Sequence, residues 1–187
     1  ALPVEGGKHL RENYVGTHLK EYGSMLMLSH FKGHAMGGFG GALKNMSIGV
    51  ASARGKVWIH TSATSLVFED AFTADHDSFL ESMADADKAV MDFMGRENIA
   101  YINVANNLSV DCDRCAVAED PCMKDIGIVS SLDPVAIDQA CIDLVARSDD
   151  PGKEHFMERV NSRNGIHTIE AAAELGFGSR AYDLTEL

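Results

Sequence analysis

Apolar positions along this chain recur with two periods, and the changes of period mark out alternating strands and helices. The run SMLMLS, Ser24–Ser29, stops abruptly in polar and glycine residues, the pattern of a strand buried in a parallel sheet. NIAYINVAN, Asn98–Asn106, predicts a second buried strand, and DIGIVSS, Asp125–Ser131, a third. Between the first two, Phe72, Phe79, Leu80, Met83, Val90 and Met94 recur at helical spacing from Ala71 to Met94, where Gly95 supplies the stop. The run Val57–Ile59 reads as a further short strand that closes at His60.

Later in the chain Asp133 stands where an N-cap belongs, and Pro134 suits the first helical position. Ile137, Cys141, Leu144 and Val145 share one face of the helix that follows, whereas Asp133, Asp138 and Asp143 read as a cap and solvated positions. Further helices are expected near His155–Val160 and Thr168–Leu175, and Ala181–Leu184 reads as a final edge strand. Alternating strands and helices predict an α/β fold, with a mostly parallel sheet flanked by helices, as one domain over residues 1–187. The runs Met25–Leu28 and Ile99–Val104 are expected to be adjacent or near-adjacent parallel strands.

Composition narrows the partners. With 187 residues, 45% of them hydrophobic, the chain can bury a core. Its net charge of −12 argues against nucleic acid or an anionic membrane. No apolar run is long enough to span a bilayer and no secretion signal is visible, so a cytoplasmic protein acting on a small molecule is expected.

Chemistry concentrates in two places. The first is Ser29–Thr61, which holds His30, His34 and His60, five glycines between residues 33 and 41, and Lys44 just beyond them. A strand, then glycines, then a helix is an arrangement that offers backbone N–H groups to an anion. GGFGGALKN nevertheless fits neither the P-loop, where Lys is followed by Ser or Thr, nor the dinucleotide fingerprint, which would need glycine at Leu43. A tight loop without room for side chains explains the glycines equally. A histidine at a strand end in an α/β fold lies where such folds keep their sites, which favours His34 and His60. The remaining histidines, His9, His18, His76, His155 and His167, read as surface residues.

The second place is DCDRCAVAEDPCMKD, with Cys112, Cys115 and Cys122 inside eleven residues. The Cys112–x2–Cys115 spacing is that of metal ligands. Three local thiolates leave an iron–sulfur or zinc site short of a fourth ligand, for which a histidine or Asp125 is available. Reduced, unligated thiols are the alternative. Cys141 lies on an apolar helical face and reads as a buried thiol.

LSHFKGHAMGGFGGALKN, with the later GVAS, GK and His60, followed by VDCDRC and KDIGI–SLDPVAIDQACIDL, resembles the DUF362 family over nearly the whole chain, from about Leu2 to Leu184. Members are often described as iron–sulfur centre proteins and carry a further N-terminal region, so the resemblance implies that this chain is the C-terminal portion of a larger protein. His34, Lys44 and His60 also fall in the order and at the intervals of a lactate racemase site, with Gly40 where that family has Ser. That likeness implies Lys44 as the cofactor anchor, His60 as a metal ligand and His34 as an acid/base.

The reading that follows is a metal-dependent or redox enzyme domain. His34 and Lys44 would be catalytic, and Gly37, Gly38, Gly40, Gly41 and Lys44 would hold a cofactor. Cys112, Cys115, Cys122 and His60 would bind a transition metal (Fe, Zn or Ni) or an iron–sulfur cluster, since imidazole and thiolate together suit these ions. The rivals are a noncatalytic module for a phosphate-bearing ligand and an electron-transfer protein. The chain is expected to form a homo-oligomer or to associate with the N-terminal region.

Overall fold

The computed structural model describes residues 1–112 and 115–187. Its central sheet has three strands, β3 (Met25–His30), β6 (Ile99–Ala105) and β7 (Gly127–Ser131), in that order. β3 and β6 run parallel, with Met25 opposite Ile99 and His30 opposite Val104, so the two strands are neighbours as expected. β7 is antiparallel to β6, with Tyr101 opposite Ser131. Two small antiparallel pairs accompany this sheet, β1 (Leu2–Pro3) with β2 (Glu12–Asn13) and β4 (Lys32–His34) with β5 (Gly38–Gly40). The fold is therefore α/β with mixed rather than mostly parallel pairing.

Helices cover one face of the central sheet. α3 (His76–Met94) starts behind the Asp75 side chain, which accepts from the Ser78 amide; the expected earlier turns form a separate 3₁₀ segment, Phe68–Phe72. α4 (Pro134–Arg147) is capped by Asp133, which accepts from the amides of Val135 and Ala136, and it packs on β6 and β7. α5 (Lys153–Ser162) and α6 (Ile166–Glu174) follow, with α6 packed on α3. The covered face carries Met27, Ser29, Ile99, Tyr101, Asn103 and Ala105, all buried.

The other face is open, contrary to the expectation of strands buried on both sides. Leu26 and Leu28 on β3 are 56% and 59% exposed, and Ile128 on β7 is 72% exposed. The alternation that buries one set of side chains necessarily turns the other set outward. Two further expectations change. KVWIH belongs to a helix, α2 (Ala53–His60), because Ser52 caps it by accepting from the Gly55 amide, so His60 ends a helix and not a strand. Ala181–Leu184 forms no strand; the Tyr182 hydroxyl in that segment donates to Asp143 at 2.8 Å.

Candidate functional site

The β4–β5 hairpin begins one residue after β3. Alternation puts Lys32 and His34 on one face of it and Gly33 on the other. Their cross-strand partners are both glycines, Gly40 opposite Lys32 and Gly38 opposite His34. Gly33 is glycine for a close approach, since a Cβ there would stand 2.5 Å from the Val110 backbone.

After the hairpin comes a short helical turn, α1 (Ala42–Lys44), continued by a π-helical turn over Asn45–Gly49. Asn45 ties this turn back to β3, its side-chain amide donating to the Leu28 carbonyl at 3.1 Å and the Ser29 hydroxyl at 3.0 Å. Lys44 is thereby turned across the hairpin. Its Cδ lies 3.6 Å from where a Cβ on Gly40 would stand. Lys32 and Lys44 together line a cleft of about 200 Å³, which also takes in His30, Gly40, Gly41, Asn45 and Cys112. The cleft lies at the C-terminal end of β3, the edge at which open α/β sheets bind ligands.

Asp138 forms the floor beneath this turn and is not the solvated helix position expected of it. It is fully buried, and its carboxylate accepts from the amides of Ala42 at 2.8 Å and Leu43 at 3.0 Å, and from the Asn103 side chain at 2.7 Å. Burial pushes its pKa up to about 6, against the pull of those three donors. Asp87 lies near enough to feel the Asp138 charge. It too is fully buried, neither of its oxygens has a hydrogen-bond partner, and burial raises its carboxyl well above the usual range. Asp138 was within reach of sequence reasoning: with Pro134, Cys141 and Val145 it repeats at helical spacing on the buried face of α4.

This arrangement gives the glycines a packing role. The amides of Ala42 and Leu43, which an anion at the start of α1 would need, already serve Asp138. A Cβ on Gly41 would fall 2.3 Å from Asp138 Oδ1, and one on Gly38 would fall 2.8 Å from the Gly165 backbone, where Gly38 also has φ of +76°. Gly37 is hemmed by the Phe39 carbonyl at 3.2 Å. These glycines serve the protein's own packing; Gly40 and Gly41 alone among the four expected cofactor glycines line the cleft.

His34, Lys44 and His60 are expected to share one site, and their electrostatic effects do overlap. Lys44 and His60 both act electrostatically on His34, and Lys44 on His60. The His34 ring accepts at Nδ1 from the amides of Met36 and Gly37, at 3.1 and 3.0 Å. Burial first, then the charges of Lys44 and Lys32, lowers its pKa to about 3. His60 stacks on Phe79 with ring centroids 4.8 Å apart, and its Nδ1–H donates to the Lys56 carbonyl at 2.6 Å. Burial again lowers its pKa, with Lys44 and Lys56 adding to that effect. Neither ring lines the cleft itself.

The cysteine loop behaves differently. Asp113 and Arg114, between Cys112 and Cys115, lie outside the described residues. Cys115 is exposed and Cys112 half-buried at the cleft. Cys122 is held as a thiol: its Sγ–H donates to the Leu108 carbonyl at 3.2 Å, and burial raises its pKa. Asp125 is occupied in accepting from the Asn107 amide at 2.8 Å. Among the described residues no three His, Cys, Asp or Glu side chains converge on one point.

Two histidines read as surface residues are in fact bound to a single carboxylate. Glu81 in α3 is engaged by Lys8, by His9 and by His167, the last at 2.9 Å. Burial pushes Glu81 up, but these hydrogen bonds outweigh it and bring the pKa to about 2. The cluster joins the N-terminal segment to α3 and α6 and lies apart from the cleft.

A family model described as a domain of unknown function, DUF362, matches residues 1–143, which takes in every residue of the cleft and Asp138. No curated protein and no solved structure matches. No helix among the described residues is long and apolar enough to cross a membrane.

Proposed function

The chain belongs to the DUF362 family, and on that premise we propose that it is the part of an enzyme domain that holds a small anion, a phosphate- or carboxylate-bearing substrate or cofactor, against Lys32 and Lys44. The observation that carries this reading is the placing of two lysines around Gly40, in a cleft at the end of a parallel strand. Two lysine side chains lining one small concavity offer N–H donors and positive charge to an anion from two sides. A volume of about 200 Å³ suits a pyrophosphate or a short carboxylate. The perturbed histidines His34 and His60, within the electrostatic reach of Lys44, support a site for chemistry rather than storage alone.

The test is calorimetric titration with inorganic pyrophosphate at low and at moderate salt. Wild type should bind, more weakly as salt rises. Lys32→Met and Lys44→Met should each weaken binding about tenfold or more while keeping the melting temperature. Binding that is unchanged in both variants, or absent in wild type, defeats the reading.

A second reading, a transition-metal enzyme, is favoured by one observation. With Nδ1–H bonded to the Lys56 carbonyl, His60 has its Nε2 lone pair available, as metal-ligating histidines do. In this reading the metal (Fe, Zn or Ni) arrives with a bound cofactor, to which Lys44 is the anchor that the lactate racemase likeness implies. Elemental analysis of anaerobically purified protein tests it: a stoichiometric transition metal that is lost in His60→Ala supports it, and metal-free protein that is active opposes it.

A further inference from the structure

Backbone N–H groups can only donate. Two of them, from Met36 and Gly37, point at Nδ1 of His34, so that nitrogen must carry a lone pair and the ring proton must be on Nε2. A doubly protonated ring would set an N–H against two N–H groups and is excluded by the same geometry. His60 is fixed in the opposite sense. A carbonyl can only accept, so its Nδ1 holds the proton that goes to Lys56; in the neutral ring, which burial favours, its Nε2 is bare. Among the described residues neither Nε2 has a hydrogen-bond partner. One histidine therefore presents a donor and the other an acceptor, both within the field of Lys44.

We propose that His34 and His60 form a polar pair of opposite sense beside Lys44, in which His34 is a permanent hydrogen-bond donor through Nε2–H and His60 the acceptor. His34 then does no acid/base work, which reverses the role its position suggests. His34 lies two residues from Lys32 on the same face of the hairpin, just outside the cleft lining, so Nε2–H is the donor that an anion extending beyond Lys32 would meet, and it favours anions that present an acceptor oxygen next to the charged group. The charged groups acting on the His34 ring are Lys44, Lys32, His60 and Arg159, all cationic or neutral, and together with burial they keep it uncharged. The selectivity rests on the anion-holding reading above; the tautomers do not.

The experiment has two arms. Two-bond proton–nitrogen correlation spectra of protein labelled at histidine nitrogens, recorded without ligand at neutral pH and assigned with His34→Gln and His60→Gln, read the tautomers directly. His34 should be protonated at Nε2 and His60 at Nδ1, the less common form in solution. The reverse tautomer in either ring, or an imidazolium at His34, overturns the proposal. In the second arm inorganic pyrophosphate is titrated into His34→Asn and His34→Gln. Asn keeps an acceptor for the Met36 and Gly37 amides but has no donor at the Nε2 position; it should bind about tenfold more weakly. Gln places an N–H there and should bind more tightly than Asn. Equal binding by wild type and His34→Asn removes the donor role, whereas assigned tautomers with no pyrophosphate binding in wild type would sink the anion reading and leave the pair standing.

Discussion

The Asp138 carboxylate occupies the space that a side chain on Gly41 would need: a Cβ there would lie 2.3 Å from Oδ1. The contact joins α4 to the turn that carries Lys44, across 96 positions of sequence between Asp138 and Ala42. Gly41→Ala should therefore destabilise the fold by about 1–3 kcal/mol through overpacking. Gly40→Ala meets only the flexible Lys44 stem at 3.6 Å and should leave stability within about 0.5 kcal/mol while filling part of the cleft. Thermal melts separate the two; equal melting temperatures for both variants would mean that the Asp138 contact is not what requires glycine.

Removing the carboxylate has a larger consequence. Asp138→Ala leaves the amides of Ala42 and Leu43 and the Asn103 side chain without their acceptor in a buried place. The cost should be about 3 kcal/mol or more. Urea denaturation measures it, and a loss below about 1 kcal/mol would show that water or a rearranged Asn103 replaces the carboxylate.

His34 and Asp138 give stability opposite dependences on pH. His34 has a folded pKa of about 3 against an ordinary value of 6.5, so its contribution is complete above 6.5 and is lost as pH falls from 6.5 toward 3. Asp138 has a folded pKa of about 6 against 3.8, so its contribution is complete below 3.8 and is lost as pH rises through 6. The variant His34→Asn should lose less stability than wild type between pH of about 7 and about 4.5, which denaturant midpoints at the two values report. An identical loss in both proteins would place the acid sensitivity elsewhere.

Much of this architecture is legible in the sequence where local signals agree. Met25–Leu28 and Ile99–Val104 are apolar runs of strand length, and they pair in parallel as expected. Asp133 and Pro134 mark the start of α4 by cap chemistry alone. KVWIH failed because a five-residue apolar run has no period of its own, and the cap that decides it, Ser52, lies outside the run. The candidate site is less legible. The order and intervals of His34, Lys44 and His60 suggest a site, whereas Lys32 belongs to no motif and stands out only because the hairpin puts it on the face of His34. The purpose of the glycines could not be read, because Asp138 and Gly165, which crowd Gly41 and Gly38, come from distant parts of the chain.

The open sheet face should drive self-association. Leu26, Leu28 and Ile128 expose apolar surface beside β3, an edge strand among the described residues, a combination that invites contact with another copy. Light scattering should show wild type as a dimer or larger assembly, and Leu28→Lys combined with Ile128→Lys should shift it toward monomer. A wild-type monomer at high concentration would contradict this.

The thiols should differ in reactivity in the order of their surroundings. Cys115 is exposed, Cys122 is a hydrogen-bonded thiol with a raised pKa, and Cys141 is fully buried with its pKa pushed up to about 12. Alkylation of the native protein followed by peptide mass spectrometry should find Cys115 modified first and Cys141 last. Early modification of Cys141 would mean that α4 is not packed as described.

The most direct test of the anion site is a crystal structure of the protein saturated with inorganic pyrophosphate. The account predicts one pyrophosphate at the end of β3, with oxygens within hydrogen-bonding distance of Lys32 Nζ and Lys44 Nζ and Gly40 against its flank. A pyrophosphate bound elsewhere, or a cleft that keeps only solvent at saturating pyrophosphate, would contradict it.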